Sequence, residues 1–587
     1  MKTLCVTALV ILQTLLASAF GSASLLPGDL RCESRQDPVG MDATQPRLSW
    51  VLQPGRWTSS RDQHQSAYQV LVASSLKQLA ADQGELWDSG KVNSDQSIQV
   101  AYAGQPLRSG QKCFWKVRVW DQDGKASAWS EPARWSMGLL AASDWQGKWI
   151  GQDEPEPKAV FTNTSWIWFP EGHAEKSAPL ATRYFRRTFE LPAGRSLKSA
   201  RWFVAGDNQF EAFVNGQKVG GGGNFKVAAD FDLGKLLHAG KNLLAASVKN
   251  SGDQPNPAGF VALLQVEFEQ GEPLLLATDA TWQSSAEELP RWEQPDYEDS
   301  TWLKARNLGP VGMEPWGQVT GPENRRLAAR YLRKEFQTGQ KVRRATVWFS
   351  GLGLSELYLN GQKVGDAVLS PGLTEYSKRV FYVTHDVTRQ LKRGQNCLGV
   401  ILGNGRFFPP RGKVPTETRG YGFPKLLFQM RVEYEDGSAT TVVSDESWKL
   451  TTNGPIRANN EYDGEEYDAR LEMPGWNQPC FDDSKWTGAQ AVSAPGGELA
   501  AQMIAPIRVI ETLRPLAITQ PKPGLYIFDL GQNLVGWCRL QVAGPAGTAV
   551  SLRFAESLQP DGTLYLDNIR SAKVTDTYIL KGQGREA

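Results

Sequence analysis

The sequence carries almost no excess charge of either sign. Its 64 Lys and Arg face 63 Asp and Glu, a formal net charge of +1 over 587 residues. A nucleic-acid protein or a basic membrane-surface binder needs a concentrated positive field, so this balance argues against both classes. Cysteine is scarce and scattered. Cys5 lies in the leader described below, and Cys32, Cys113, Cys397, Cys480 and Cys538 show no CxxC spacing. That spacing excludes a zinc site and a disulfide framework. Most of these thiols are expected in the core, with a single bridge as the alternative. Beyond the leader no apolar run is long enough to span a bilayer, and long amphipathic helical patterns are missing throughout.

The leader itself combines Lys2, an apolar run from Leu4 to Leu16 and the small residues Ala17, Ser18 and Ala19. This is the pattern of a secretory signal over residues 1–24, and it predicts an exported chain, periplasmic or extracellular. What the sequence has in plenty is tryptophan (21) and glycine (57), against 4 His. A turn-rich, Trp-rich chain suits all-β domains, and at this length several of them. Trp faces also stack on sugar rings, although most are expected in cores.

Residues 27–138 contain "AYQVLVAS", "CFWKVRVWDQDGKASAWS" and "ARWSMG". Alternation puts Trp115, Val117 and Val119 on one face and Phe114, Lys116, Arg118 and Trp120 on the other, and the turn residues Asp123-Gly124 follow. Short strands at regular spacing predict a fibronectin-III or immunoglobulin-like sandwich. A repeat follows. "VNGQKVG" (214–220) returns as "LNGQKVG" (359–365), 145 positions on (360 − 215). Around it, "LATRYFRRTFEL" matches "LAARYLRKEFQT", "LHAGKNLLAASVKN" matches "LKRGQNCLGVILGN", "DATW" matches "DESW", and "YEDSTW" matches "FDDSKW". Matched blocks in one order mark a copied module, expected as two jelly-roll (lectin-like) sandwiches over 145–315 and 325–500. The Asn-Gly pair is a two-residue hairpin turn with positive φ at both positions, and it carries no chemistry. Residues 505–587 read as the start of a further β-sandwich.

The copies are most informative where they disagree. The first has Gly206-Asp207-Asn208 where the second has Gly351-Leu352-Gly353. Its later loop, "NSGDQPNPAG" (250–259), is rich in amide and carbonyl oxygens, whereas the second reads "NGRFFPPRG" (404–412). Calcium takes six to eight oxygen ligands of mixed kind. Asp207, Asn208, Asn250 and a carbonyl near Pro255 can supply many of them, leaving positions for sugar hydroxyls. The alternative is that Asp207-Asn208 caps a turn. Asn404 matches Asn250, so the asparagine persists where no acid accompanies it.

This domain order, together with "GEEYDAR" (464–470), "FDLGQNLVGW" (528–537) and "TDTYIL" (575–580), resembles the bacterial α-L-rhamnosidases over nearly the whole chain after the leader. The resemblance implies that the first sandwich is a calcium-dependent rhamnose-binding module, with Asp207, Asn208, Asn250 and the Pro255 carbonyl as calcium ligands. It also implies an inverting hydrolysis of terminal L-rhamnose by a carboxylic acid and a carboxylate. In that family both reside in a helical toroidal domain after the β-region, a pattern these residues do not contain. The expectation is therefore a non-catalytic β-portion, with the helical catalytic domain and rhamnose-bearing glycans or glycosides as its partners. No catalytic residue is assigned. Glu465, Glu466 and Asp468 lie in an insertion (38 residues from Trp448 to Trp486, against 20 from Trp282 to Trp302). They read as an interface loop with Arg470 pairing locally, and Glu556 as a strand-end or interface carboxylate. The competing readings are a complete secreted carbohydrate-binding or adhesion protein without activity, and a hydrolase using the sandwich acids.

Overall fold

The computed structural model describes residues 25–55, 61–154, 161, 163–321, 326–411 and 420–587, and the 1–24 leader lies outside them. The described chain is strand almost throughout, as its turn-rich composition requires. It divides into two units, one comprising 154–325 with 410–415 and the other the remainder.

The larger unit begins with the immunoglobulin-like domain. A three-stranded sheet includes Leu25–Cys32 and Arg47–Pro54, and a five-stranded one is centred on Gln65–Ala73 and Lys112–Asp121. The alternation holds: Trp115, Val117 and Val119 are fully buried in the core with Trp50 and Trp135. On the other face Arg118 lies 4.6 Å over Trp129 and 5.1 Å over Trp120, and Lys116 lies 4.8 Å over Trp129. The cationic groups thus sit over aromatic rings, with Lys116 buried and paired to Asp82.

The second sandwich follows in the same unit. One six-stranded sheet runs Gln362–Lys363, Leu354–Leu359, Gly394–Gly403, Arg330–Thr338, Lys449–Thr451, Thr487–Gly488. Its opposing sheet is built on Val342–Leu352 and Lys425–Tyr434 and also contains Ile150–Gly151, which pairs with Lys425–Leu426. The chain therefore enters this sandwich before residue 154 and returns to it at Arg330, whose Nη2 donates to Gln152 O at 3.1 Å.

The first sandwich, in the smaller unit, repeats the order strand for strand: Gln217–Gly222, Gln209–Val214, Gly240–Lys249, Thr182–Leu191, Gln283–Ser285, Leu303–Lys304. The hairpins are as the sequence predicts, with φ of 49° and 83° at Asn215-Gly216 and 52° and 84° at Asn360-Gly361. The matched blocks also explain one another. Arg186, fully buried, pairs with Asp299 at 3.0 Å, and its counterpart Arg333 pairs with Asp483. Each guanidinium also donates to a loop carbonyl, that of Trp292 or Trp476. A buried cation is tolerable only when paired and fully hydrogen-bonded, which accounts for the shared Arg and Asp letters.

The insertion in the second sandwich is a hairpin rather than a loop. Ile456–Asn460 pairs with Gly464–Asp468, which lies parallel to Thr575–Ile579, and Ala549–Arg553 closes the sheet. The motifs "GEEYDAR" and "TDTYIL" are thus neighbouring strands, with Tyr467 and Tyr578 stacked at 5.5 Å. Among the described residues all five cysteines are free, Cys32, Cys113 and Cys397 buried and Cys480 and Cys538 exposed.

Candidate metal centre

Asp207 ends the strand Leu197–Asp207, and Asn208 links it directly to Gln209–Val214. Asn250 follows Gly240–Lys249 and opens the loop to Gly259–Phe268. Sheet pairing brings these ends together: Asp207 faces Gly259, and Asn208 N donates to Lys249 O at 3.0 Å. Three of the four residues singled out from the sequence therefore meet at one edge of the first sandwich. Pro255 lies exposed in the same loop, next to Asn256.

Their hydrogen bonds define what each can do. Asp207 is 5 % exposed and accepts from Trp316 Nε1 at 2.9 Å and from Asn208 Nδ2 at 3.0 Å. Both donors are neutral, and among the described residues no cation pairs with this carboxylate. Burial raises its pKa, and the Trp316 bond only partly offsets the rise. Asn208 Oδ1 accepts from Ser251 N at 2.7 Å, tying the two loops. Asn250 is fully buried, and its Nδ2 donates to the carbonyls of Ala178, Pro179 and Asn256 at 3.1–3.2 Å. Among the described residues its Oδ1 has no hydrogen-bond donor.

A buried carboxylate without a counter-charge beside a buried amide oxygen without a donor is a costly arrangement in isolation. A hard cation would satisfy both. Among the described residues no three His, Cys, Asp or Glu side chains converge. One carboxylate with amide and backbone oxygens is a donor set for calcium rather than for zinc or a transition metal. The second sandwich provides the internal comparison. Among the described residues Asn404 Oδ1 is likewise without a donor, but Leu352 and Gly353 stand where the carboxylate and second asparagine would be. The orphaned amide belongs to the duplicated scaffold, and the carboxylate is particular to the first copy.

Sequence reasoning missed Trp316. It is 2 % exposed, stacks on Trp166 at 4.5 Å and holds the Asp207 carboxylate. Its signal was available: it follows the last matched block and has no counterpart in the second copy. The other acids are engaged elsewhere. Arg470 binds Asp468 through two bonds of 2.9 and 2.8 Å, as expected from the sequence, and Arg326 pairs with Glu466. Glu465 lies beside Asp576, and Glu556 lies within 3.5 Å of Asn568.

Fold and site together define a chain of β-sandwiches, an immunoglobulin-like domain followed by a nested duplication of which one copy has acquired an acidic loop edge. Three family models match it: the N-terminal immunoglobulin domain of Rha78A-like proteins over 27–141, the α-L-rhamnosidase N-terminal domain over 340–511, and the bacterial α-L-rhamnosidase concanavalin-like domain over 519–587. The chain belongs to the bacterial α-L-rhamnosidase family. It is 42 % identical to an α-L-rhamnosidase of Streptomyces avermitilis, aligning over 94 % of this chain and 53 % of that protein. An α-L-rhamnosidase of Formosa agariphila is 29 % identical, over 94 % and 42 %. Among solved structures, the Streptomyces avermitilis α-L-rhamnosidase complexed with L-rhamnose superposes with a TM-score of 0.64 at 40 % identity, covering 96 % of this chain and 54 % of that one. The α-L-rhamnosidase of Dictyoglumus thermophilum gives 0.63 at 31 % identity, covering 95 % and 44 %. The chain spans about half the length of the relatives it matches.

Proposed function

We propose that this chain is the β-sandwich portion of an exported α-L-rhamnosidase and that its first sandwich binds terminal L-rhamnose with calcium. The observation that carries the reading is Asp207, a buried carboxylate with no cationic partner among the described residues, placed beside the undonated Asn250 Oδ1 in only one of two copies. The family membership and the rhamnose complex of a 40 % identical relative point to the same sugar. Calcium, when bound, would supply coordination positions that a pair of vicinal hydroxyls can fill.

The residues of the chain divide the remaining work. Asp207 contributes the charge, and Trp316 fixes its carboxylate in one orientation. Asn208 joins the two loops through Ser251, while Asn250 gathers three loop carbonyls with its amide nitrogen and keeps its oxygen for the site. The Pro255 carbonyl completes the set from the same loop. Inverting hydrolysis of the rhamnoside belongs to the longer protein, through a catalytic domain that these residues adjoin. Glu465, Glu466 and Asp468 are structural carboxylates of the hairpin in this reading, so the chain alone should release no nitrophenol from a nitrophenyl rhamnoside.

Calorimetric titration of L-rhamnose into the chain should give binding with calcium and none with a chelator. Asp207→Asn should remove the calcium-dependent signal while leaving the thermal unfolding of the larger unit unchanged. Equal rhamnose affinity in calcium and in chelator would refute the proposal.

A further inference from the structure

Inside the larger unit, the immunoglobulin-like domain and the second sandwich enclose a cleft of about 1710 Å3. Its walls are pinned together. Tyr382 Oη accepts from Leu139 N at 3.1 Å, and Gln429 accepts from Gln146 N at 2.7 Å and donates to Asp144 O at 2.9 Å. Small-molecule sites occupy roughly 300–1,000 Å3, so this volume suits an extended chain.

The charge of the lining departs from that of the whole protein. Seven cationic side chains face three carboxylates, an excess of four (7 − 3), in a chain whose formal net charge is +1. The carboxylates are already engaged. Glu433 is shared by Arg343 at 3.0 Å and Arg431 at 3.4 Å. Asp386 accepts from Thr388 N and Oγ1 at 3.1 and 2.6 Å, and Asp144 accepts from Ala141 N at 2.9 Å. Among the described residues Arg108, Lys112, Arg344 and Arg389 form no ion pair. Arg344 is nevertheless held in place by Thr346 Oγ1 at 3.1 Å. The ammonium of Lys112 lies 5.4 Å over the Phe114 ring, and burial together with Arg134 and Arg344 pulls its pKa down. Asp386 and Asp37 act against that shift at Lys112, but the excess of positive over negative side chains in the cleft still focuses a positive field there. Trp348, 2 % exposed, forms part of the lining, and its indole N–H has no acceptor among the described residues. Hydroxyl and amide side chains of Ser75, Thr388 and Gln390 complete a surface that is both apolar and rich in hydrogen-bonding groups.

We propose that this cleft binds a carboxylate-bearing oligosaccharide, a chain of hexuronic acid residues, through Arg108, Lys112, Arg344 and Arg389. The planar guanidinium matches a carboxylate through two parallel hydrogen bonds, and the apolar part of the lining accepts the faces of the sugar rings. The choice of a sugar polymer rests on the function proposed above, whereas the sign of its charge does not.

The test is fluorescence anisotropy of a labelled short oligogalacturonate with the full chain at physiological ionic strength. Arg344→Gln with Arg389→Gln should weaken binding about tenfold or more, the scale of one or two charged hydrogen bonds. Arg389→Gln alone, an exposed position, should weaken it several-fold with unchanged folding. The same oligomer with its carboxyls reduced to alcohols should not bind. Asp207→Asn should leave binding untouched, so failure of the rhamnose reading registers separately. Equal binding of charged and reduced oligomers, or no effect of either variant, would overturn the proposal. So would equal binding of sulfated and polyphosphate oligomers, which would mean a generic polyanion surface.

Discussion

Glu465 shows how a single side chain can set the acid response of this protein. Burial raises its pKa to about 7, with further repulsion from Asp576 and Glu356. An unfolded glutamate titrates near 4.5. Between these values the folded chain holds a proton that the unfolded chain has released. Stability therefore falls as pH rises through that window and levels off above about 7. Glu465→Gln removes the titration. Calorimetric scans should show the variant gaining stability over the wild type progressively from about pH 4.5 to about pH 7, and parallel profiles would contradict this. His385 acts in the opposite direction over much of the same range. Burial lowers its pKa to about 4, so its contribution is complete above the ordinary imidazole value of 6.5 and is lost as pH falls toward 4.

Among the elements, the Asn-Gly hairpins were legible down to their dihedral angles, because only a narrow set of residues occupies positive φ at two successive positions. The second task of the asparagine was not legible. Asn360 Oδ1 accepts from Cys397 N at 2.9 Å, and its Nδ2 donates to Gln390 O and Asn396 Oδ1 at 3.0 and 2.8 Å. Asn215 repeats these contacts with Leu243, Leu236 and Asn242. The hairpin is thus fastened to the neighbouring strand of its sheet. Asn360→Gly keeps the turn and discards the fastening, so it should cost about 1–3 kcal/mol through unsatisfied buried groups. Chemical unfolding of Asn360→Gly against Asn360→Asp, which keeps the acceptor, would separate the two contributions. The insertion reads as a loop in sequence, yet it is a local hairpin of Ile456–Asn460 with Gly464–Asp468, and what was not legible is that Gly464–Asp468 also pairs with Thr575–Ile579, more than a hundred residues away. Period-two alternation identifies strands but not their distant neighbours. Asp207 and Asn208 were legible as a difference between the copies, and their convergence with Asn250 at one sheet edge follows from the strand pairing. Trp316 was not, because it reaches Asp207 only through tertiary packing.

At the scale of the whole molecule, near-zero net charge concealed the basic cleft. Its cations come from separate segments, at residues 108–134, 343–344, 389 and 431, and only folding gathers them. The nesting of the two copies was concealed in the same way: they are consecutive in sequence, but Ile150–Gly151 belongs to the second sandwich. The first sandwich has its own core around Trp168, Trp202, Phe260 and Trp282. Residues 154–325 produced alone should therefore fold, and their melting temperature should rise with calcium and not with calcium plus chelator. An unfolded fragment, or one indifferent to calcium, would count against both the independence of the sandwich and the site.

The Arg330–Gln152 bond has a further consequence, for the order in which the chain folds. A ribosome releases Ile150–Gly151 long before the strand at Lys425 that pairs with it. While residues 154–325 are unstructured, closing that pair means closing a loop lengthened by 172 residues. Collapsing those residues into a folded insert shortens the effective loop and lowers its entropic cost by about 1 kcal/mol. The insert then acts as a built-in clamp on the nascent chain, and an insert slow to fold would delay the second sandwich.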